Sequence, residues 1–159
     1  MTDNYGNKIV DAVRRIDFFR DFSDDELSQL LKVSQWIKYS HGDIIIKEGT
    51  QEKTFYVVLR GSVTIKKRMG AGGLKKTIGM LSAGQSFGEM ASFITGRPRS
   101  ADIIAEEETY VLRFNADDIH REQGNPQYTA ILLKFYKRFA EALAERLEEA
   151  DREISNPLT

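Results

Sequence analysis

The sequence predicts a mainly β chain: a β-sandwich of jelly-roll type with helices before it and one long helix after it. Three observations carry that prediction. From Trp36 to Phe114 short apolar runs recur at a spacing of roughly eight to twelve residues, with glycine at the turns between them. At both ends the apolar spacing switches to the period of a helix. The 159 residues, 41% hydrophobic and 30% charged, suit one soluble core with one appended element. The boundaries read as a sandwich unit over residues 8–125 and a C-terminal helix over residues 126–154.

Taken in order, Ile9, Val10, Val13 and Ile16 line one face of a first helical segment around Lys8–Ile16. Asp17 to Arg20 interrupts it, and Phe18 and Phe19 point to the core. Ser23-Asp24-Asp25-Glu26 is a capping-box pattern, with Ser23 as N-cap and Glu26 at N3. It opens a second helix through Leu27, Leu30, Leu31 and Val33. From Trp36 the period becomes strand-like. Tyr39 to Asp43 turns the chain into the strand Ile44–Ile46, and Lys47 to Thr50 turns it again. Thr54–Leu59 is a strand, Arg60-Gly61 a tight turn, and Ser62–Lys67 a strand alternating Val63 and Ile65. Met69 to Gly73 forms a hairpin tip, with Lys75–Leu81 as the returning strand. That glycine cluster lacks the Gly-Lys-Ser/Thr ending of a P-loop and opens no helix after a strand. Ser82 to Ser86 is a further turn. Tyr110–Phe114 is the last strand, and Asn115 is the N-cap of a short helix.

The final helix starts at Pro126, a residue suited to a first helical position. Apolar residues recur at Tyr128, Leu132, Phe135, Phe139, Leu143, Leu147, Ala150 and Ile154. Seven steps over 26 residues average about 3.7, an amphipathic helix and no strict heptad. The first half is broadly apolar and packs on its own sandwich; the second is narrow-striped and charged. At 1.5 Å per residue, about 28 residues span about 42 Å, longer than a small domain is wide. The far end therefore calls for a partner: a second subunit, or a ligand that it closes over.

Residues 87–105 read FGEMASFITGRPRSADIIA and organise the rest. Gly88 beside Glu89 lets backbone approach a ligand, because no Cβ intervenes. A one-turn helix after Gly88 points free N–H groups at an anion. Arg99 can fork two hydrogen bonds onto phosphate oxygens, and the Ser100 hydroxyl can add a third. Glu89 is suited to accept from sugar hydroxyls. One acid for a sugar and one arginine for a phosphate describe a nucleotide pocket.

These residues resemble the phosphate-binding cassette of cyclic-nucleotide-binding domains. The form is nearest to bacterial regulators of the catabolite activator type, where an Arg-Ser-Ala run closes the cassette as Arg99, Ser100 and Ala101 do here. The resemblance extends over about Ile9 to Ile154. It implies that Glu89 binds the ribose 2′-hydroxyl and Arg99 the cyclic phosphate. The backbone around Gly88, Met90 and Ala91, together with Ser100, completes the phosphate site. It also implies that the long helix pairs two subunits and lends side chains to the base, from Leu147 to Asp151. Cyclic AMP is favoured over cyclic GMP by the resemblance alone, since Ser100 suits a phosphate or a guanine edge.

The remaining composition narrows the function classes. A formal net charge of −1 gives no basic footprint for nucleic acid. There is no cysteine, hence no thiolate metal site or catalytic thiol, and His41 and His120 lack metal-ligand spacing. No nucleophile–base pair or paired acids stand out, so the expectation is sensing without catalysis, cofactor or metal. The polar start MTDNYGNK and the lack of a long apolar run predict a cytoplasmic protein away from membranes. After Ile154 only Ser-Asn-Pro-Leu-Thr remain, so no helix-turn-helix, kinase or channel is expected in this chain. It therefore reads as a sensor, a homodimer through its last helix, acting on a protein effector or a missing output domain. Two alternatives stand: a scaffold of the same fold that binds no nucleotide, and a sensor for another small anion. Glu89 argues against the second, because a carboxylate beside an anion needs a hydroxyl to accept from.

Overall fold

The computed structural model describes residues 2–121 and 124–155, with side chains from Lys8 onward. Helix α1 spans Thr2–Arg14, so it starts earlier and ends earlier than the predicted Lys8–Ile16. Its end is set by Ile16, which takes extended backbone (φ −81°, ψ 127°) ahead of a single 3-10 turn, Asp17–Phe19. That turn buries Phe18 and Phe19. Helix α2, Asp24–Lys32, opens on the predicted capping box. The Glu26 backbone N–H donates to Ser23 Oγ (3.2 Å), and the Ser23 N–H donates to Glu26 Oε1 (2.9 Å).

Eight strands follow: β1 (Ser34–Tyr39), β2 (Ile44–Ile46), β3 (Thr54–Arg60), β4 (Ser62–Met69), β5 (Leu74–Ser82), β6 (Ser86–Phe87), β7 (Asp102–Ala105) and β8 (Thr109–Asn115). They form two four-stranded antiparallel sheets, ordered β1-β8-β3-β6 and β2-β7-β4-β5. Ser86, read as part of a turn, instead pairs with Val57 and brings Phe87 opposite Tyr56. The last strand is followed by α3 (Ala116–Arg121), capped by Asn115 Oδ1, which accepts from the Asp117 N–H at 2.9 Å. Helix α4 runs Pro126–Ser155.

Alternation along β3 and β8 divides the core in two, because successive side chains point to opposite faces. Tyr56, Val58 and Val111 face the second sheet and pack with Ile46, Val63, Leu81, Phe87 and Ile103. Phe55, Val57, Leu112 and Phe114 face the helices and pack with Phe18, Phe19, Phe22, Leu27, Phe135 and Phe139. Phe55 stacks on Phe114 with ring centroids 5.1 Å apart, and meets Phe135 and Phe139 edge-on at 5.3 Å each. The functional stretch lies between these cores, with Phe87 in the first and Phe93 in the second. No helix among the described residues is long and apolar enough to cross a membrane.

Candidate functional site

Strand β6 delivers Gly88 at φ +84°, a conformation that costs a side chain its Cβ sterics. A Cβ there would also lie 3.1 Å from Arg99 Nη1, Ile46 Cδ1 and the Thr54 carbonyl oxygen. Only glycine therefore fits. The predicted helical turn is present but is wider than an α-turn: Met90–Thr95 is a π-helical turn, ended by Gly96 at φ +67°. Two hydroxyls brace it. Ser92 Oγ donates to the Gly88 carbonyl at 2.7 Å, and Thr95 Oγ1 donates to the Met90 carbonyl, five residues back, at 3.0 Å. Single π-turns of this kind frequently sit at functional sites. Phe93, on the turn's inner side, anchors it by contacts to Phe139 (5.2 Å), Tyr136 (4.9 Å) and Phe55 (5.6 Å).

The chain returns through Gly96 and Pro98 to Arg99, whose backbone is tied to the β2–β3 loop. Its N–H donates to the Thr50 carbonyl at 2.9 Å, and its own carbonyl accepts from the Gly49 N–H at 2.8 Å. The Arg99 side chain is 3% exposed. Nη1 donates to the Gly88 carbonyl (2.8 Å); Nη2 donates to the Thr54 carbonyl (2.6 Å) and Thr54 Oγ1 (2.9 Å). All three acceptors are neutral, and among the described residues Arg99 makes no ion pair. Burial pushes the guanidinium below its usual pKa, an effect that Tyr56, Glu52 and Glu89 oppose. Thr54 Oγ1 in turn lies 3.4 Å from the Tyr56 hydroxyl. Beyond it the Tyr39 phenol, pushed up to about 12 by burial and then by Tyr56, stays protonated at neutral pH.

Glu89 is 1% exposed. Its Oε1 accepts from Arg146 Nη1 at 3.2 Å, while Oε2 is buried with no partner among the described residues. Two further buried polar atoms of this region are equally unpartnered, Arg99 Nε and Ser86 Oγ. Buried polar atoms are ordinarily satisfied, so Glu89 Oε2 is an acceptor with capacity to spare; buried atoms of Glu26, Gln29, Arg113 and Arg138, away from this stretch, are unpartnered too.

Of the predicted site residues, Gly88, Glu89, Met90, Ala91 and Ser100 line one cavity, walled by Ile46, Ile65, Leu81, Phe87, Ala101 and Ile103. The fold thus brings together both ends of the cassette, which are separated by eleven positions at Gly88 and Arg99. Arg99 does not itself line that cavity; its guanidinium sits behind Gly88, held on the Gly88 and Thr54 carbonyls. From α4 the lining residue is Arg146, and none of residues 147–151 takes part. Arg146, Thr54 and Ser86 are the participants that sequence reasoning missed. The signal for Arg146 is weak: it stands three residues after Leu143, on the flank of the apolar stripe, as many surface arginines do. For Thr54 and Ser86 the sequence offers none: each presents a main-chain carbonyl oxygen, which every residue type carries, and only Thr54 adds a side-chain oxygen.

The family model of the cyclic nucleotide-binding domain matches residues 36–122 of this chain. Among curated proteins, the cGMP-dependent 3′,5′-cGMP phosphodiesterase A of Dictyostelium discoideum is 36% identical over 110 residues, 69% of this chain and 12% of that protein. Human cGMP-dependent protein kinase 2 is 32% identical over 95 residues, 60% of this chain and again 12% of the relative. The chain thus matches about an eighth of the length of these relatives. Among solved structures, a cyclic nucleotide-binding domain from Methylobacillus flagellatus KT superimposes with a TM-score of 0.79 at 27% identity, covering 99% of this chain and 86% of that one. The Thermus thermophilus catabolite activator protein gives a TM-score of 0.70 at 29% identity, over 87% of this chain and 62% of that one. The regulatory subunit of a cAMP-independent protein kinase A from Trypanosoma brucei shares the fold, with a TM-score of 0.64 at 22% identity over 82% of this chain and 51% of that one.

Proposed function

This chain belongs to the cyclic nucleotide-binding domain family, and we propose that it is a cytoplasmic sensor that binds cyclic AMP in preference to cyclic GMP and performs no catalysis of its own. Fold alone does not support that reading, because one regulatory subunit with this fold belongs to a protein kinase A named as cAMP-independent. The observation that carries it is a buried arginine without an anionic partner, set one carbonyl away from a buried carboxylate with a free oxygen. A buried cation is costly unless an anion compensates it. A ligand with a phosphate for Arg99 and a hydroxyl for Glu89 Oε2 completes both groups at once.

In this reading the phosphate enters over Gly88, Met90, Ala91 and Ser100, and Arg99 exchanges its carbonyl acceptors for phosphate oxygens. Release of the Gly88 carbonyl loosens one end of the π-turn. Phe93 then carries the adjustment to Phe139 and Tyr136 on α4. The signal leaves through that helix, to a second copy paired along its exposed stripe and to a protein effector. It is a population shift, driven by the contacts the ligand makes in one helix position.

Cyclic GMP is the second reading, favoured by the exposed Ser100 hydroxyl on the cavity and by the names of the two curated relatives. Calorimetric titration with cyclic AMP, cyclic GMP and 5′-AMP separates the possibilities. Binding of cyclic AMP at lower concentration than cyclic GMP, with 5′-AMP silent, is the expected result. The reverse order of the two cyclic nucleotides reassigns the base. Silence with all three removes the sensor reading and leaves a scaffold acting through α4. Arg99→Ala loses one or two charge-assisted bonds of about 1.5–3 kcal/mol each, so affinity falls at least about tenfold. A variant that binds as tightly as the parent takes Arg99 out of the phosphate role.

A further inference from the structure

The apolar, helix-facing side of the first sheet runs on past the helices that cover it. On β8, Phe114 and Leu112 lie under those helices, and Tyr110, two residues before Leu112, points the same way. On β1, Trp36 is paired with Leu112 and so shares that side. Helix α1 ends at Arg14, and Ile16 leads the chain away in extended backbone. The end of the face left open is a cavity of about 280 Å³, close to the lower end of the roughly 300–1,000 Å³ usual for small-molecule pockets. Ala12, Val13 and Ile16 wall it on one side and Trp36, Leu59 and Tyr110 on the other, and Arg60 brings its one charge. We propose that this cavity is a second ligand site for a small amphipathic anion, an apolar chain or ring that carries one carboxylate. It shares no lining residue with the cassette cavity, and the proposal does not rest on the nucleotide reading.

Three features point this way. First, the concavity is apolar and open to water. Trp36 is 50% exposed although it lies on the side of the sheet that the helices cover. Scattered exposed apolar residues need no account, but a contiguous set around one hollow does, and an apolar occupant would remove it from water. Second, Arg60 is unspent: among the described residues it makes no ion pair. Glu108 feels its charge, but that carboxylate is held by Lys38 at 3.3 Å and by the Tyr110 hydroxyl at 2.9 Å. A ligand carboxylate can therefore take the guanidinium's fork without displacing an internal partner. Third, the backbone under Arg60 is fixed. The next residue, Gly61, has φ +95°, and a Cβ there would lie 2.5 Å from Thr109 Oγ1 and 2.7 Å from the Glu108 carbonyl oxygen. The Ser62 N–H donates to Thr109 Oγ1 at 3.2 Å, which fastens the β3–β4 turn to β8.

The same charge weighs against other occupants. A second copy of this chain seated on this face by a two-fold axis would bring Arg60 toward its own equivalent. A neutral apolar chain leaves the guanidinium unused. A nucleotide needs hydrogen-bonding partners for base and sugar, and these walls are mostly hydrocarbon.

Trp36 is the only tryptophan of the chain, so its emission reports on this cavity directly. The probes are decanoate, decanol and decyltrimethylammonium, each below its aggregation limit, titrated into the parent, Arg60→Gln and Ala12→Met. Decanoate should shift the emission to shorter wavelength and saturate, binding at least about fivefold more tightly than decanol, with the cationic probe weakest. Arg60→Gln should abolish the preference for decanoate and leave decanol binding unchanged. Ala12→Met, at an exposed helix position, fills the cavity and should weaken both without changing the melting temperature. A preference for decanoate that survives Arg60→Gln overturns the assignment of its head group. Equal binding of all three probes reduces the cavity to a non-specific apolar patch. No emission change with decanoate, or binding untouched by Ala12→Met, removes the site. Emission that shifts with protein concentration alone, in step with sedimentation velocity, gives the face to a second copy and also overturns the proposal.

Discussion

The two halves of α4 share one apolar stripe and have opposite fates. Up to Phe139 the stripe is core: Ile131, Phe135 and Phe139 are fully buried, and Leu132 nearly so. Lysine and arginine on its flanks are paired, with α2, with the turn before it and with α4 itself. Lys134 bonds Glu26, and the buried Arg138 donates to Asp21 Oδ2 (2.9 Å) and Glu141 Oε2 (2.7 Å). After Leu143 the same spacing continues into solvent, with Leu147 65% and Ile154 78% exposed. Amphipathicity therefore specifies which side of a helix seeks an apolar partner. Whether the partner is the chain's own body depends on how far that body extends. A helix of 30 residues, about 45 Å long at 1.5 Å per residue, outruns the sandwich it starts on.

The sharpest way to break this contrast is a matched pair of truncations. Phe139→Ala removes a ring packed on Phe18, Phe55, Phe93 and Phe135, and should cost about 3–5 kcal/mol in urea denaturation. Leu147→Ala, at dilutions where copies are apart, should stay within about 0.5 kcal/mol. Comparable losses from the two would mean that the outer half is packed on its own domain in solution.

A smaller effect comes from acid. Desolvation raises the Glu26 pKa, but bonds from Lys134 and Ser23 outweigh it and leave the carboxyl below its usual value of 4.5. A depressed folded-state pKa means the contribution is complete above about pH 4.5 and is lost as pH falls through the folded value. Lys134→Met leaves Glu26 desolvated without its cation. That variant should lose about 1–3 kcal/mol near neutrality and begin its acid transition at higher pH than the parent. Thermal melts from pH 3 to 7 would show it; coincident acid profiles would remove Lys134 as the anchor of the inner half.

The smallest effect on the monomer, and the most informative for the outer half, is expected from Leu147→Glu combined with Ile154→Glu. Monomer stability should not change, while a homodimer through the exposed stripe should dissociate in sedimentation velocity. A dimer that survives both charges places the pairing surface elsewhere on the molecule.

Much of the architecture follows from local chemistry. Ser23 and Glu26 announce α2 because a capping box is satisfied within four residues. Apolar runs cut by glycine announce the strands, since turns at positive φ admit little else. Glu89, Arg99 and Ser100 offer the types of group that a sugar phosphate would call for, and the Arg99-Ser100-Ala101 run carries the resemblance to the family's cassette. Boundaries were less legible where neighbours decide them: Ile16 ends α1 by turning extended, and Ser86 becomes a strand because Val57 is there to pair with it.

Three things were decided by tertiary structure. The turn after Gly88 is a π-turn, because Phe93 is drawn into the helical core while hydroxyls bridge to carbonyls four and five residues back. Arg99 points inward, because the Thr54 and Gly88 carbonyls come together only when β3 and β6 are side by side. Arg146 meets Glu89 across 57 positions of chain. Sequence specifies which groups a residue carries and the period on which it repeats. The pairing of distant groups depends on how strands and helices pack, and so became visible only in the folded chain.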